Sequence, residues 1–242
     1  MMDLNGKVAI VTGGKRGIGK AISKILLKEG VNLAMCSKNE EDLDLLEKEL
    51  KIVANNSPLC RAVDIRNGIA VSSFIQEVYR SFGKIDILIN NAATIRSGLL
   101  EEMTEEDWEL LIDTNLKGSF LTMKYVIPYM KQNSSGSILN ICSGLSKKAY
   151  PNFSIHCASK FGLRGMSLAV KEELRKYNIQ VMILNPSSVD TDIWNYIEGD
   201  YNHRKMVSSD EVADSVLFML KNSTNCTIDE LDIAPRQGIA LQ

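Results

Sequence analysis

Short apolar runs recur along the chain, and each is followed by a polar turn and a longer amphipathic segment. Most of these runs are apolar at every position rather than at every second one, which is typical of parallel strands covered on both faces. We therefore predict seven strands, over residues 7–12, 32–36, 59–63, 85–90, 137–142, 180–184 and 228–233.

Between the strands, apolar residues recur at the spacing of an amphipathic helix. The first helix begins near Gly17, and Ser208 and Glu211 have the spacing of a capping box at the start of the last one. The predicted helices after the first cover residues 40–53, 66–82, 104–131, 156–176 and 209–221. This alternation implies right-handed β–α–β crossovers. It predicts an α/β fold with a doubly wound, mainly parallel, seven-stranded sheet and helices on both faces. Because no linker or repeat interrupts the chain, we expect a single domain over 1–242.

The first predicted strand runs directly into the sequence TGGKRGIG, residues 12–19. Glycines at positions 13, 17 and 19 permit a tight turn, close approach of the backbone to a phosphate and close packing of helix on strand. The helix that follows points free N–H groups and the positive end of its dipole at an anion. The strand before the turn and the helix after it favour dinucleotide binding over an ordinary glycine-rich turn.

Further motifs follow the later strands in the order and spacing of one known family. They are Asp64, NNAA (90–93), Asn115 in NLKGSF, Ser143, Lys160 in CASK, and NPSSVDTDI (185–193). Together with the pattern Gly-x-x-x-Gly-x-Gly, they resemble the short-chain dehydrogenase/reductase family over nearly the whole chain. The resemblance implies a Rossmann-like domain, an oxidoreductase activity on a small molecule and a nicotinamide cofactor.

Charges at the end of the second strand indicate which cofactor binds. An acid there would hydrogen-bond a ribose hydroxyl and repel a 2′-phosphate, but Ser37 occupies that position and Lys38 follows it. Arg16 in the glycine turn adds a second cation on the same side. The two cations favour NADP(H) over NAD(H), whereas either one alone is also typical of a solvated surface charge.

The resemblance also assigns contacts along the cofactor. It implies that Asp64 contacts the adenine edge and Asn91 the adenosine ribose region, and that the stretch 186–191 holds the nicotinamide amide. The cofactor-binding residues expected in all are Gly13, Arg16, Gly17, Ile18, Gly19, Ser37, Lys38, Asp64, Ile65, Asn91, Ala92, Lys160, Pro186, Val189 and Thr191.

In the resembled family, Asn, Ser, Tyr and Lys carry the reaction, and the Tyr hydroxyl donates or accepts the proton. This sequence has Asn115, Ser143 and Lys160 in register, but His156 stands at the Tyr position. The spacing of four residues places His156 and Lys160 on one face of a helix. The catalytic set implied here is therefore Asn115, Ser143, His156 and Lys160.

An imidazole at position 156 differs from a phenol in reach and in charge. The imidazole nitrogens lie closer to the backbone than a phenolic oxygen does, so a direct contact with the substrate falls short by about 2 Å. Even ~1 Å of misplacement costs ~10²-fold in rate. Lys160 and an oxidised nicotinamide disfavour the imidazolium, so His156 is a better proton acceptor than donor. We expect reduction to weaken from about pH 6 upward and alcohol oxidation to suffer less.

Two functions are compatible with these residues. The first is an NADP(H)-dependent oxidoreductase that interconverts a ketone and a secondary alcohol, either like a 3-oxoacyl-thioester reductase or as a general carbonyl reductase. The second is a catalytically impaired, nucleotide-binding member of the family that acts as a regulatory or scaffold protein. Asn115, Ser143 and Lys160 favour the enzyme, and His156 favours the alternative.

Composition and charge restrict the classes of molecule that the protein is expected to bind. The net charge of −2 argues against nucleic acid and anionic membranes, and no apolar run approaches the ~18 residues of a membrane span. Five scattered cysteines without a CxxC pair indicate neither a disulfide framework nor a metal site. With no signal-peptide pattern at its start, the chain is expected to be a cytoplasmic protein.

Two further predictions concern surfaces beside the site. By the resemblance, the segments 104–131 and 156–176 pair with their copies in a homodimer or homotetramer, with Phe161, Met166 and Val170 on the contact face. The segment 190–207 contains Gly199 and three aromatic residues, and we expect it to be a mobile lid over the substrate; an ordinary exposed loop is the alternative.

Overall fold

A computed structural model of the protein describes residues 2–53, 57–197, 202–222 and 226–236. Its centre is a seven-stranded sheet in the order β3-β2-β1-β4-β5-β6-β7, in which each neighbouring pair is parallel. The strands are β1 (Val8–Thr12), β2 (Asn32–Ser37), β3 (Leu59–Ala62), β4 (Ile87–Asn90), β5 (Gly136–Ile141), β6 (Ile179–Pro186) and β7 (Glu230–Ile233). The predicted doubly wound, mainly parallel sheet is confirmed.

Helices connect the strands and cover both faces of the sheet. They are α1 (Gly17–Lys28), α2 (Glu41–Val53), α3 (Gly68–Phe82), α4 (Glu105–Ile112), α5 (Gly118–Gln132), α6 (Ser154–Leu174) and α7 (Ser209–Lys221). The predicted capping box before α7 is confirmed. Ser208 Oγ accepts a hydrogen bond from the Glu211 N–H at 3.2 Å, and Glu211 Oε2 accepts one from the Ser208 N–H at 2.8 Å.

Alternate residues of the central strands pack on opposite faces of the sheet. In β1, Ala9 and Val11 join a core with α1, α2 and α7, whereas Val8 and Ile10 join a core with α3 and α5. Both faces are therefore dry, which explains why these strands are apolar at every position. β1 lies between β2 and β4, and Ala9 pairs with Leu33 on one side and Ile87 on the other.

The helix predicted over 104–131 is present, but it passes from α4 into α5 through a π-helical segment, Asp113–Lys117, which the sequence did not predict. A π-helical turn carries one more residue than an α-helical turn. Asn115 lies in this segment, and its Oδ1 accepts a hydrogen bond from the Thr94 N–H at 2.8 Å while its Nδ2 donates to the Thr94 carbonyl at 3.0 Å. Helical periodicity in the sequence does not show a partner 21 residues away.

Candidate active site

The loops at the carboxyl ends of the strands form a cleft of about 690 Å³. Such loops are where doubly wound sheets bind ligands. Each residue that the sequence predicts for cofactor binding lines this cleft, and so do Ser143, His156 and Lys160. Asn115, the fourth predicted catalytic residue, is fully buried and touches the site through the backbone of Thr94, which does line the cleft.

The glycine turn between β1 and α1 requires glycine at two positions. Gly13 has a φ of +66°, and a Cβ there would lie 2.8 Å from the Ala92 Cα. At Gly19 a Cβ would lie 2.2 Å from the Gly13 carbonyl oxygen. The turn therefore packs directly against the loop after β4, with no room for side chains between the two.

Thr12 and Asn91 hold this turn and that loop together. Thr12 Oγ1 accepts hydrogen bonds from the backbone N–H groups of Asn91 at 3.0 Å and Ala92 at 3.1 Å. In return, Asn91 Nδ2 donates to the carbonyls of Thr12 at 3.0 Å and Gly13 at 3.1 Å. Asn91 thus shapes the turn that precedes α1.

The first turn of α1 is suited to an anion. Its N-cap residue is Arg16, whose side chain makes no capping hydrogen bond, so the N-cap side chain takes up none of the first N–H groups of the helix. Arg16 and Gly17 both line the cleft. These donors and the positive end of the helix dipole fit a phosphate group.

Three cations, Arg16, Lys38 and Arg66, line the cleft together with Ser37 at the end of β2. Ser37 is buried at the end of the strand, Lys38 is exposed, and Arg16 Nη1 lies 3.8 Å from Asp192 Oδ2. Asp64 is bound by Arg66, whose Nη2 donates to Asp64 Oδ2 at 2.6 Å and whose Nε donates to Oδ1 at 2.9 Å. The hydrogen bonds from Arg66 hold the pKa of Asp64 below its ordinary value, so its carboxylate stays charged.

Ser143 begins a short turn after β5. Its Oγ accepts a hydrogen bond from the Leu145 N–H at 3.1 Å, and its hydroxyl proton remains available to an acceptor in the cleft. Gly144 touches the loop after β6, because a Cβ at this position would lie 2.0 Å from Ser187 Oγ. The turn of Ser143 and the loop after Pro186 are therefore in direct contact.

His156 and Lys160 lie one turn apart on α6, and both are buried. Lys160 Nζ donates to the Ile141 carbonyl at 3.0 Å, and burial lowers the pKa of Lys160. Burial, and after it the charge of Lys160, lowers the pKa of His156 from 6.5 to about 3, although a hydrogen bond with the Thr94 backbone opposes the shift. The imidazole is therefore neutral at physiological pH, and its Nδ1 makes no hydrogen bond within the described part of the chain.

The remaining wall of the cleft is apolar. Trp194 is buried in a small cluster there, and its Nε1 donates to the Val189 carbonyl at 2.7 Å. Tyr150 packs partly buried against this cluster and also lines the cleft. The buried members of the cluster are Ile95, Leu145, Phe153, Cys157, Trp194 and Ile197.

Sequence reasoning missed four residues that shape the site. Arg66 follows Asp64 by two residues in the loop after a predicted strand, so its position was a usable signal. Thr12 ends β1, and its role depends on a loop 79 residues away. Thr94 bonds Asn115 through its backbone, and Ser159 Oγ accepts a hydrogen bond from Asn115 Nδ2 at 3.1 Å. None of these three contacts leaves a pattern in the sequence.

The structure also bears on metals, thiols and membranes. The described residues contain no group of three or more His, Cys, Asp or Glu side chains placed to hold a metal ion. All five cysteines are free, and burial raises the pKa of the Cys36 thiol to about 12 and that of Cys142 to about 11, so these thiols stay protonated. Within the described ranges, no helix has the length and apolarity to span a membrane.

Comparisons with known proteins agree with this geometry. A family model described as "short chain dehydrogenase" matches residues 7–202. An uncharacterized oxidoreductase of Staphylococcus aureus (strain USA300) is 30% identical over 237 residues, which cover 97% of this chain and 100% of that protein. An uncharacterized oxidoreductase of Staphylococcus saprophyticus is 29% identical over 235 residues, which cover 97% of this chain and 100% of that protein.

Two solved structures share the fold. An alcohol dehydrogenase from the archaeon Thermococcus sibiricus, complexed with 5-hydroxy-NADP, has a TM-score of 0.87 at 26% identity, with 95% of this chain and 97% of that chain covered. A metagenomic short-chain oxidoreductase in complex with NADP has a TM-score of 0.85 at 29% identity, with 97% of this chain and 99% of that chain covered.

Proposed function

The chain belongs to the short chain dehydrogenase family, and from this premise we propose that it is an NADP(H)-dependent oxidoreductase that interconverts a ketone and a secondary alcohol. The observation that carries the proposal is the shared cleft. The uncapped start of α1 lines it together with Ser143, His156 and Lys160. A nucleotide and a small substrate fit this one space, with residues 1–242 acting as one domain.

The residues around the cleft fit NADP(H). Arg16 and Lys38 are the cations proposed to hold the 2′-phosphate, and Ser37 adds a hydroxyl where an acid would repel it. Asp64, held charged by Arg66, supplies an acceptor for the adenine edge. The two solved relatives named above are complexed with NADP or 5-hydroxy-NADP, which supports the same cofactor for this chain.

The other proposed contacts follow the path of the cleft. Gly13, Gly17, Gly19 and Ile18 line the glycine turn, and Ile65, Asn91 and Ala92 line the wall between the adenosine end and the reaction end. Lys160 is proposed to hold the nicotinamide ribose. Around the nicotinamide amide, the proposed contacts are Pro186, Val189 and Thr191.

NADP(H), when bound, supplies or accepts the hydride. The Ser143 hydroxyl is proposed to donate a hydrogen bond to the substrate oxygen, and Asn115 to fix Thr94 beside His156. Neutral His156 is the proposed acceptor of the alcohol proton. A base with a pKa of about 3 accepts a proton poorly, and the imidazolium that would donate the proton in the reverse direction is scarce near neutral pH, so turnover is slow in both directions.

The low pKa of His156 also favours a second function. A site that lacks an acid near neutral pH but keeps its nucleotide cleft is suited to a nucleotide-binding protein with a regulatory or scaffold role. In this case bound NADP(H) stabilises one conformation for a partner, and no hydride is transferred. The two functions make opposite predictions for turnover by the natural protein.

Turnover assays separate the two functions. The purified protein is given NADP⁺ with a panel of secondary alcohols, and NADPH with the matching ketones. The enzyme proposal expects slow turnover that Lys160→Ala abolishes, while exposed Lys176→Ala, the matched control, leaves it unchanged. If neither the natural protein nor His156→Tyr turns over any substrate while both bind NADPH, the non-catalytic function is correct.

We propose further that the protein is a homodimer or homotetramer. Large apolar side chains are exposed on three neighbouring helices, namely Trp108 on α4, Phe120 on α5, and Phe161 and Leu168 on α6. A Cβ at Gly165 would meet no atom within 4 Å, so a second helix can approach α6 closely there. Met166 and Val170, also predicted for this contact, are partly buried and pack against the core as well.

The cytoplasmic location remains a prediction from the sequence.

A further inference from the structure

The carboxylate of Glu230, the first residue of β7, meets side chains from three other parts of the chain. Arg164 of α6 donates to both of its oxygens, from Nε to Oε1 at 2.8 Å and from Nη2 to Oε2 at 2.9 Å. Asn185 Nδ2 donates to Oε1 at 2.7 Å, and Lys147 Nζ lies 3.0 Å from the same oxygen. Glu230 is therefore the common acceptor of this polar network.

Two of the partners lie at the reaction end of the cleft, Lys147 in the turn of Ser143 and Asn185 at the end of β6. Lys147 and Ser146 close the turn that Ser143 begins, and the Ser146 N–H donates to the Ser143 carbonyl at 2.9 Å. Ser146 Oγ donates to Asn185 Oδ1 at 2.7 Å, with both groups fully buried. Asn185 directly precedes Pro186, so the network joins the turn of Ser143 to the loop proposed to hold the nicotinamide amide.

The third partner belongs to the helix of the other two catalytic side chains. Arg164 lies one turn after Lys160 and two turns after His156, so the three share one face of α6. The bidentate pair with Glu230 fixes this face relative to β7. Through one carboxylate, the helix of Lys160 is thus connected to the turn of Ser143.

We propose that Glu230 is a positioning residue, which fixes the Ser143 hydroxyl relative to Lys160 by binding Arg164, Asn185 and Lys147 at once. Glu230 is not among the residues that line the cleft, so it acts only through these partners. The catalytic consequence rests on the proposed function, whereas the effect on the turn of Ser143 does not.

The network needs the negative charge of Glu230. The hydrogen bonds from Arg164, and after them those from Asn185 and Lys147, lower the pKa of Glu230 to about 2 against the opposing effect of burial. Asp232 adds a second carboxylate, whose Oδ1 accepts from Lys147 Nζ at 2.7 Å, so two cations meet two anions. An amide at position 230 has only one acceptor oxygen, and its N–H₂ group faces cations.

Hydrogen exchange tests the positioning without any need for turnover. In Glu230→Gln, the amides of Leu145 and Ser146 should exchange about tenfold faster than in the natural protein, because their turn loses its anchor. The matched control is Asp229→Asn. This substitution removes a neighbouring carboxylate, which pairs with Lys171 of α6, the helix that also carries Arg164. Asp229→Asn should leave the exchange rates of both amides as they are in the natural protein. If Glu230→Gln leaves these rates unchanged too, the proposal is overturned. Should Glu230→Gln fail to fold, Arg164→Lys, which cannot make the bidentate pair, takes its place.

Kinetics test the catalytic consequence. Glu230→Gln should lower kcat by about tenfold with the KM for NADP(H) within about twofold, since ~1 Å of misplacement affects the chemical step most. In a Ser143→Ala background the same substitution should lower kcat much less, because the hydroxyl it positions is gone. An equal loss in both backgrounds indicates general destabilisation and overturns the proposal. Faster exchange in a protein without any turnover supports the positioning and rejects the proposed enzyme function.

Discussion

Lys160 follows His156 by one turn of α6, and the two side chains are buried together, with 3% and 5% of their surfaces exposed. A neighbouring ammonium makes a phenol more acidic, because it stabilises the phenolate. Burial, and after it the same ammonium, destabilises an imidazolium, so the pKa of His156 falls to about 3. Lys160 therefore lowers the pKa of either group, but a phenol still carries its proton near neutral pH, whereas the imidazolium has lost its own.

The low pKa of His156 makes stability depend on pH. The folded pKa of about 3 lies below the unfolded value of 6.5, so between them the unfolded state binds more protons. The free energy of unfolding should be highest above pH 6.5 and should fall as the pH is lowered towards 3. Urea unfolding at pH 4.5 and pH 7 should show a larger loss for the natural protein than for His156→Phe. His203→Phe, at the chain's other histidine, which is exposed, should keep the full loss.

Replacing His156 by Tyr should raise reductase activity near neutral pH. A phenol reaches further into the cleft and, with its pKa lowered by Lys160, remains a proton donor where imidazole is neutral. We expect the pH profile of NADPH-dependent ketone reduction to extend to higher pH in His156→Tyr. His156→Ala should lose activity while NADPH binding stays within about twofold, since the glycine turn is untouched. Equal activity of the natural protein and His156→Ala would mean that another group supplies the proton.

Lys38 should determine the preference for NADPH over NADH. Charge-assisted hydrogen bonds to a phosphate contribute ~1.5–3 kcal/mol each, so Lys38→Ala should weaken NADPH binding by about tenfold or more. NADH lacks the 2′-phosphate, and its affinity should not change. Fluorescence titration of both cofactors measures the difference, with Lys28→Ala at the far end of α1 as the control. Equal affinity of the natural protein for the two cofactors would contradict the assignment.

Phe161 should contribute to the contact between copies. Its ring is exposed on α6, beside Leu168 and the open surface at Gly165. Phe161→Glu should shift the mass measured by light scattering towards the monomer, because a charge cannot be buried in an apolar interface without a partner. Phe218→Glu, which changes another exposed Phe on α7, is the control for a general effect of the charge. A monomeric natural protein at micromolar concentration would rule out the interface.

Trp194 should report the movement of the predicted lid. The described part of segment 190–207 places Trp194 in the apolar cluster beside the cleft, while Gly199 and Tyr201 lie outside the described residues. Trp108 is exposed, so Trp108→Phe leaves Trp194 as the only indole. If the segment opens and closes, Trp194 emission should shift to the blue when NADPH and substrate are added together. Emission that stays constant on addition of ligands indicates an ordinary fixed loop.

Much of the fold could be predicted because local patterns decide it. The apolar strands are uniform since both faces of the sheet are covered, and the capping box at Ser208 depends on residues only three positions apart. The π-helical segment between α4 and α5 could not be predicted in this way. It accompanies the contact of Asn115 with Thr94, which exists only once the loop after β4 lies against the helix.

In the site, too, some features could be predicted from local sequence and others depend on tertiary contacts. Each predicted cofactor-binding residue lines the cleft, because these positions follow strand ends whose location the fold determines. The direction of the His156 pKa shift could be predicted from Lys160, but its size depends mostly on burial, which comes from tertiary packing. The network of Glu230 joins residues 45 to 83 positions apart, and no spacing rule connects them.

The place of β1 in the sheet has a consequence for synthesis. Ala9 leaves the ribosome early, but its partner Ile87 is made 78 residues later. At ~5–20 residues per second, this apolar strand keeps one edge open for roughly 4–16 s. Nascent chains arrested before residue 87 should bind a hydrophobic dye more strongly than chains arrested well after residue 90. A holdase chaperone that covers the open edge of β1 during this interval would raise the yield of folded protein without any effect on the stability of the finished molecule.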